Sequence, residues 1–417
     1  MKKKIKIGIL GAGISGLSIG KLLTEDFEVE LLDKSPVFGG IAKTKSIEGI
    51  SYHKTGGHCF NSKYPDVLDF VFQHIMPSSE WHKVTRDAAI RFKDNEISYP
   101  IEFAVKQISS FDNELAINIV KDFLNAKDDG TYENLEDWFR KKFGNTLTEE
   151  YFLPYNRKIW NRDPKEMDPS WVKDKLPIPD VKSFFQSLIG VSEDKMPHSE
   201  FYYPNSNNQN TFIDNLASGL NIKQNVDVKS IYFNKDDNKW IVNGIYSYDK
   251  LISTLPLNEL PTFISNCPKD VIHAAKKLKY NKVSTMLWET KPTKKTWTYL
   301  PDSNTIFHRY IHIGNFFAPK MNYTITETIG ERSYEEMETY GKKDPFLIRP
   351  LDYHVSNHAY VVFDDNYKVN KEIIFDYLNS IGIYSIGRFG EWEYYNMDVC
   401  IKRAIDLKEE IFNNINI

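Results

Sequence analysis

The sequence predicts an α/β protein made of a parallel-sheet domain, a helical insertion domain and an antiparallel β-sheet domain. Three observations predict it. The chain opens with a short apolar run, a three-glycine turn and a stretch of helical spacing. Apolar residues keep helical spacing over most of the section from about residue 101 to 203. Short alternating runs fill 81–100 and recur between 283 and 328. A period near 3.6 marks a helix and a period of 2 a strand. The chain therefore divides into 1–65, 204–258 and 362–417 for the first domain, 66–100 and 259–361 for the sheet domain, and 101–203 for the insertion.

The first domain is organised around its start. Residues 5–9 form an apolar run, Gly11-Ala-Gly13-Ile14-Ser15-Gly16 follows, and 17–23 continue as helix. Residues 28–32 read as the returning strand, which ends in Asp33. Gly11 allows the tight turn, Gly13 lets the backbone approach a pyrophosphate, and Gly16 lets helix pack closely on strand. This is the βαβ unit of a Rossmann-like domain that binds a dinucleotide. The diphosphate belongs at the helix N-terminus, beside Ile14 and Ser15, where unpaired N–H groups and the dipole favour negative charge. Asp33 lies about 20 residues on, the reach expected of an acid binding a ribose hydroxyl. Lys34 then leads to a second glycine turn, Gly39-Gly40. An NAD site has no need of it, whereas flavoproteins of the glutathione-reductase and amine-oxidase type use such a pair to run the loop along the FAD pyrophosphate. The bland alternative is a loop with two turn glycines. The combination favours FAD.

Whole-chain properties narrow the class. The 417 residues suffice for two or three domains with substantial cores. The 53 basic and 57 acidic residues nearly balance, so nothing points to nucleic acid or an anionic membrane. Twenty-four Tyr and 26 Phe suit stacking on flat ligands, but aromatics also fill large cores. The three cysteines, Cys59, Cys267 and Cys400, are scattered and odd in number, which argues against a disulfide framework or a zinc site and fits a reducing cytoplasm. The Met1-Lys-Lys-Lys start superficially resembles a signal peptide, but its apolar run carries the glycine fingerprint and no cleavage site follows. No apolar stretch approaches the ~20 residues of a membrane helix. A soluble, cytoplasmic protein is expected.

Residues 47–60 continue with strand-like alternation into Gly56-Gly57-His58; this resembles FAD folds of the kind named above, in which a glycine-rich turn here passes over the isoalloxazine ring. His58 is either a group that approaches the flavin or a hydrogen-bonded turn histidine. Cys59 next to it points to the opposite face, so a Cys–His pair is not expected. Residues 103–127, 134–143 and 146–180 read as helical, with Pro177, Pro179 and Pro204 as punctuation. Residues 211–220 form another helix. Residues 225–230, which include Val228, then 232–234 and 240–242 read as a β-meander with a turn at 236–238. An apolar strand spans 251–255. Further strands are expected at 283–288, 296–300, 305–313 and 322–328, a helix at 371–381, a strand at 384–386 and a closing helix at 398–413.

The segment Gly387-Arg388-Phe-Gly-Glu-Trp-Glu-Tyr394-Tyr-Asn396-Met397-Asp resembles the C-terminal flavin-contacting motif of the UDP-galactopyranose mutase family. Tyr155-Asn-Arg-Lys-Ile-Trp160-Asn-Arg resembles that family's Tyr-x-x-Lys-x-Trp-Gly stretch, and Phe307-His-Arg309-Tyr followed by Asn315-Phe-Phe is a third match. With the N-terminal fingerprint and Gly56-Gly57-His58, the matches span nearly the whole chain in the family's order. The resemblance implies a Rossmann-like FAD-binding domain, a helical insertion and an antiparallel sheet.

It also implies roles. Gly387, Arg388, Asn396 and Met397 would contact the flavin, with Val228 on the same cofactor side. Arg309 would clamp the substrate diphosphate, aided by Tyr394 and Tyr360. Phe152 and Tyr155 would hold the base, and Trp160 would stand near sugar and flavin. Tyr203 and Asn315 fall on the substrate side. Catalytic roles would go to Arg309, His58 and Lys175, the last standing for a second diphosphate arginine. Lysine supplies charge there but no bidentate fork. Trp160 on a helix is equally a core residue, and the tyrosines are equally sheet packing. Arg309 within an apolar strand points to an anion, because burying an unpaired charge is costly. The sequence also departs from the family pattern. Residues 205–210 stand where relatives have Gly-Gly, Asn396 replaces an aspartate and Val361 a tyrosine.

The activity so implied interconverts pyranose and furanose forms of a nucleotide-diphosphate sugar through a covalent flavin N5–sugar adduct, in surface polysaccharide synthesis. The sugar would be UDP-galactose, UDP-N-acetylgalactosamine or a dTDP-6-deoxyhexose. The FAD would work reduced, with NAD(P)H or another reductant required, and a homodimer is compatible. No metal, nucleic acid or membrane span is expected. The alternative is an FAD-dependent oxidoreductase of the amine-oxidase or protoporphyrinogen-oxidase kind.

Overall fold

In the computed structural model, which describes residues 4–172, 176, 178–190 and 200–415, β1 (Lys6–Leu10), α1 (Ile14–Leu23) and β2 (Glu28–Leu32) form the expected βαβ unit. They lie in a five-stranded parallel sheet ordered Ile383–Ser385, Lys250–Ser253, β1, β2, Asn221–Lys223. Ile7, Ile9 and Leu10 are fully buried, as parallel strands covered on both faces must be. On one face α1 packs with the closing helix Met397–Ile415 and with Asn210–Ala217 in one apolar cluster. On the other lie a three-stranded meander and the helices Lys269–Lys277 and Tyr367–Ile381. Residues 225–230, expected as a strand, are not one. The edge strand is Asn221–Lys223, after which the chain bends at Asn225, whose φ is 59°, and continues unladdered, its Val226 N–H donating to the Asp33 carbonyl at 2.9 Å. The alternation there records Val228 packing inward rather than a sheet partner.

The second sheet has seven strands in the order Leu347–Val362, Lys279–Thr290, Tyr323–Ile329, Arg309–Ile311, Trp297–Tyr299, Ala88–Phe92, Asn95–Ser98. Its neighbours are antiparallel except Trp297–Tyr299 with Ala88–Phe92, which run parallel. The sheet is therefore mixed where an antiparallel one was expected, because those two strands enter from separate passes of the chain in the same direction. The α/β class stands. The 16-residue strand Leu347–Val362 is absent from the sequence reading. Pro350, Asp352, His354 and Asn357 break its alternation, register shifts interrupt its pairing, and continuous burial is confined to its far end. The helices Lys269–Lys277 and Tyr334–Gly341 are likewise additions in a stretch read as strands.

The insertion holds Asn113–Asn125, Leu135–Phe143, Leu153–Trp160 and Val181–Ile189. Asp112, Asn134 and Asp180 cap three of them by accepting from the N–H groups of Leu115, Asp137 and Ser183. Beyond Trp160 the helical reading fails: Asn161 takes a left-handed conformation and prolines leave only short turns at Pro164–Glu166 and Pro169–Val172. Residues expected at the end of the insertion instead form the strand Glu200–Pro204, paired with Trp81–Thr85. Among the described residues no helix is long and apolar enough to cross a membrane.

Candidate functional site

One cleft of about 680 Å³ runs from the glycine turns of the parallel sheet to the mixed sheet. At its first end Gly11 takes a φ of 101°, open to glycine, and a Cβ on Gly16 would collide with the Gly11 carbonyl oxygen. Gly39 and Gly40, with φ of 104° and 58°, bring the second turn back, and the Gly39 N–H donates to the Ala12 carbonyl at 2.7 Å. A Cβ on Gly40 would lie 3.1 Å from the Gly13 Cα, so the two turns touch backbone to backbone. Gly13 precedes α1 with extended backbone and no side-chain cap, leaving the helix's first N–H groups to the cleft. Asp33 braces the turns by accepting from Ala12 N–H at 2.7 Å and Ser35 N–H at 2.8 Å. Each carboxylate oxygen keeps a further lone pair for a hydroxyl.

Gly11, Gly13, Ile14, Ser15, Asp33, Lys34, Gly39, Gly40, Gly57, His58, Val228, Gly387, Arg388, Asn396 and Met397 all line this cleft, as does Arg309. Gly16 lies behind it. Midway, the His58 Nε2 is buried without a partner. Burial, then the nearby Arg388, lowers its pKa to about 4, so the ring is neutral at pH 7. Arg388 donates to the carbonyls of Ala359 at 2.7 Å and Tyr395 at 3.2 Å, lies over the Tyr394 ring at 4.4 Å, and keeps an unpartnered Nε.

Arg309 is not the free clamp that an unpaired buried charge implied. Its Nη2 donates to the fully buried Glu327 and, at 2.7 Å, to the Tyr360 hydroxyl. Tyr360 in turn donates to Glu327 at 2.7 Å, and the His308 Nε2 lies 3.1 Å from the same carboxylate. Burial works against the Glu327 charge, yet Arg309 and the bonds from His308 and Tyr360 hold its carboxyl well below the usual range. The Arg309 Nε remains without a partner.

The other substrate-side residues stand behind the cleft rather than in its wall. Tyr360 and Tyr394 stack 5.7 Å apart, and Trp160 meets both edge-on. Trp160 is 3% exposed and its Nε1 donates to Asn156. Phe152 is buried between Phe139 and Phe143, with ring centroids 4.6 and 4.5 Å away. Tyr203 is buried against His53, and Asn315 donates to the carbonyls of Thr293 and Lys295. Phe152, Trp160, Tyr203 and Asn315 are thus all buried among their neighbours, and their expected contact with a ligand stays a proposal. Tyr155 keeps a buried, unpartnered hydroxyl next to Tyr151 and Tyr299. Lys175 lies outside the described residues.

Sequence reasoning missed Glu327, Arg86 and Tyr299. Glu327 was legible in principle, since a carboxylate within the apolar run Tyr323–Ile329 raises the same question as Arg309. Arg86 and Tyr299 carry no local signal. Among the described residues no group of three or more metal-ligating side chains gathers.

The chain resembles known proteins along the same lines. A family model described as an NAD(P)-binding Rossmann-like domain matches residues 9–73. The chain is 27% identical to an Escherichia coli dTDP-fucopyranose mutase over 45% of its own length and 51% of that protein's. It is 26% identical to a probable UDP-galactopyranose mutase of Klebsiella pneumoniae over 41% and 45%. It thus spans about half the length of the curated relatives it matches. A crystal structure of reduced UDP-galactopyranose mutase superposes with a TM-score of 0.84 over 98% of this chain and 94% of that one, at 20% identity. This chain has that fold. A putative protoporphyrinogen oxidase from Exiguobacterium follows at a TM-score of 0.74, 14% identity and 99% of both chains. The resemblance read from the motifs is therefore met in sequence and in fold. The touching glycine turns, the open helix N-terminus, Asp33 and the unpartnered polar atoms of His58 and Arg388 all fit a flavin dinucleotide.

Proposed function

We propose that the chain is a flavin-dependent mutase that interconverts pyranose and furanose forms of a nucleotide-sugar. One observation carries this reading: the cleft that begins at the two glycine turns and the N-terminus of α1 ends at Arg309 and Tyr299 of the mixed sheet. A cofactor and a charged, aromatic substrate pocket then share one cavity. FAD is the cofactor, used in its reduced form, with NAD(P)H or another reductant as the electron source. The names of the relatives support UDP-galactose or a dTDP-6-deoxyhexose as substrate, and the motif departures leave room for UDP-N-acetylgalactosamine. A cytoplasmic role in surface polysaccharide synthesis and a homodimer go with the same reading.

When bound, a reduced flavin supplies an electron-rich ring beside which an anomeric carbon can release and regain its diphosphate. The chain's own work is positioning. His58, neutral near pH 7, presents Nε2 for a hydrogen bond without adding charge. Arg309, held by Glu327 and Tyr360, presents its remaining guanidinium edge in a fixed orientation. Because Glu327 cancels its charge, this edge acts as a pre-aligned donor more than as a net attraction. Tyr155 keeps a buried, unpartnered hydroxyl behind the cleft wall, next to Tyr299. The aromatic wall keeps water out.

The test is anaerobic incubation of the chemically reduced protein with UDP- and dTDP-sugars. Ring-contracted product without stoichiometric flavin oxidation is the expected outcome. No product with any sugar, together with oxygen uptake on an amine or a porphyrinogen, would reject the mutase in favour of an oxidase.

A further inference from the structure

Arg86 reaches the cleft from just before the strand Ala88–Phe92. Its guanidinium lies over the rings of Trp297 at 5.2 Å and Tyr99 at 5.5 Å, and its Nη2 donates to the Tyr299 hydroxyl at 2.9 Å. Its Nε is buried with no partner. Among the described residues no carboxylate pairs with it, and the titratable groups beside it, Tyr299, Tyr99 and Cys59, are phenols and a thiol that are neutral at pH 7. The adjacent Asp87 is taken by Lys295 at 2.8 Å. The cleft's other arginines are already answered, Arg309 by Glu327 and Arg388 by two backbone carbonyls. Arg86 therefore brings to the cleft a charge that meets only one neutral hydroxyl, whereas Arg388, also without a carboxylate, is held by two carbonyls.

A guanidinium drawn out of water without a counter-charge is costly, and an arriving anion removes that cost. Tyr299, which anchors Arg86, is the cross-strand partner of Arg309, so the two guanidiniums border the same end of the cleft. We propose that Arg86 binds an anionic group of the nucleotide-sugar and so helps set which substrate the cleft accepts. This rests on the mutase reading above. The anion is either the substrate's diphosphate or a carboxylate on its sugar. In both cases the fork of arginine suits the oxygens in a way that lysine does not.

The experiment uses the flavin-loaded protein and its Arg86→Met and Arg86→Lys variants. Calorimetry with UDP and with dTDP reads the first source. Turnover of UDP-galactose against UDP-galacturonic acid by the reduced protein reads the second. If the diphosphate is the partner, Arg86→Met weakens nucleoside diphosphate binding about tenfold, as expected for a lost charge-assisted pair. If a sugar carboxylate is the partner, nucleotide binding holds while preference for the uronate falls by about the same factor. Changes under roughly threefold in both arms overturn the proposal. A lowered melting temperature with ligand affinity and preference unchanged does the same, because it makes Arg86 a structural clamp on Trp297 and Tyr99. Should Arg86→Met fail to fold, Arg86→Lys keeps the charge and loses the fork, and the same thresholds apply. Mutase turnover in the wild type beside unresponsive Arg86 variants removes this inference alone, whereas a wild type that isomerises no sugar removes the reading beneath it.

Discussion

Arg309 and Glu327 are register partners on adjacent strands, and the Arg309 Nη2 lies 3.0 Å from both carboxylate oxygens of a fully buried Glu327. Removing either charge strands the other in the interior. Arg309→Ala is expected to cost about 3–5 kcal/mol of folding stability, as loss of one partner of a buried pair does. Arg309→Met combined with Glu327→Gln should recover most of it. Urea titration of the three proteins measures this, and an Arg309→Ala variant as stable as wild type would show that Glu327 had no need of its partner. In turnover, the same variant should lose roughly 2–5 kcal/mol of transition-state binding while keeping its flavin.

His58 gives a pH dependence. Its folded pKa of about 4 lies below the ordinary histidine value near 6.5, so the unfolded chain takes up the proton first as pH falls. Its contribution to stability is complete above about pH 6.5 and is lost progressively as pH drops toward 4. His58→Gln should flatten part of that decline. Guanidinium titrations of both proteins between those limits decide it, and identical slopes would mean that His58 titrates normally.

Gly16 faces the Gly11 carbonyl with no room for a methyl group. Gly16→Ala must therefore part α1 from the first glycine turn, at a cost of roughly 1–3 kcal/mol typical of overpacking. The diphosphate cradle opens with it. Flavin absorbance per protein after purification should fall sharply, while undiminished flavin content would detach this turn from cofactor binding.

Trp160 separates packing from ligand contact. Buried among Trp171, Tyr360, Phe363 and Tyr394, it should cost about 3–5 kcal/mol on replacement by alanine. A stable Trp160→Ala protein that had lost only substrate affinity would favour the ligand-contact reading instead.

The cofactor end of the site was legible because its parts are local. Gly11 to Gly16, Asp33 and Gly39-Gly40 lie within about 30 residues, and the turn, helix and strand they require follow from spacing alone. The Arg309 end was partly legible. Arg309 stood out as a charge in an apolar strand, but its partner sits on the next strand, and no spacing rule connects the two. The mixed sheet shows the same limit. Ala88–Phe92 read clearly as a strand, yet its parallel neighbour Trp297–Tyr299 comes from some 200 residues away. The strand Leu347–Val362 escaped notice because it is held by pairing with Lys279–Thr290 rather than by its own pattern.

The amino-acid sequence alone determined the βαβ unit, the dinucleotide turn and the order of helical and sheet segments, since these rest on backbone preferences and periodicities within one stretch of chain. Only the tertiary structure decided that Arg309 is neutralised by Glu327, that Trp160 and Phe152 are buried among other rings, and that Arg86 reaches the cleft without a carboxylate partner. Burial and charge compensation are properties of groups brought together from distant segments, and that meeting is made by the packed fold.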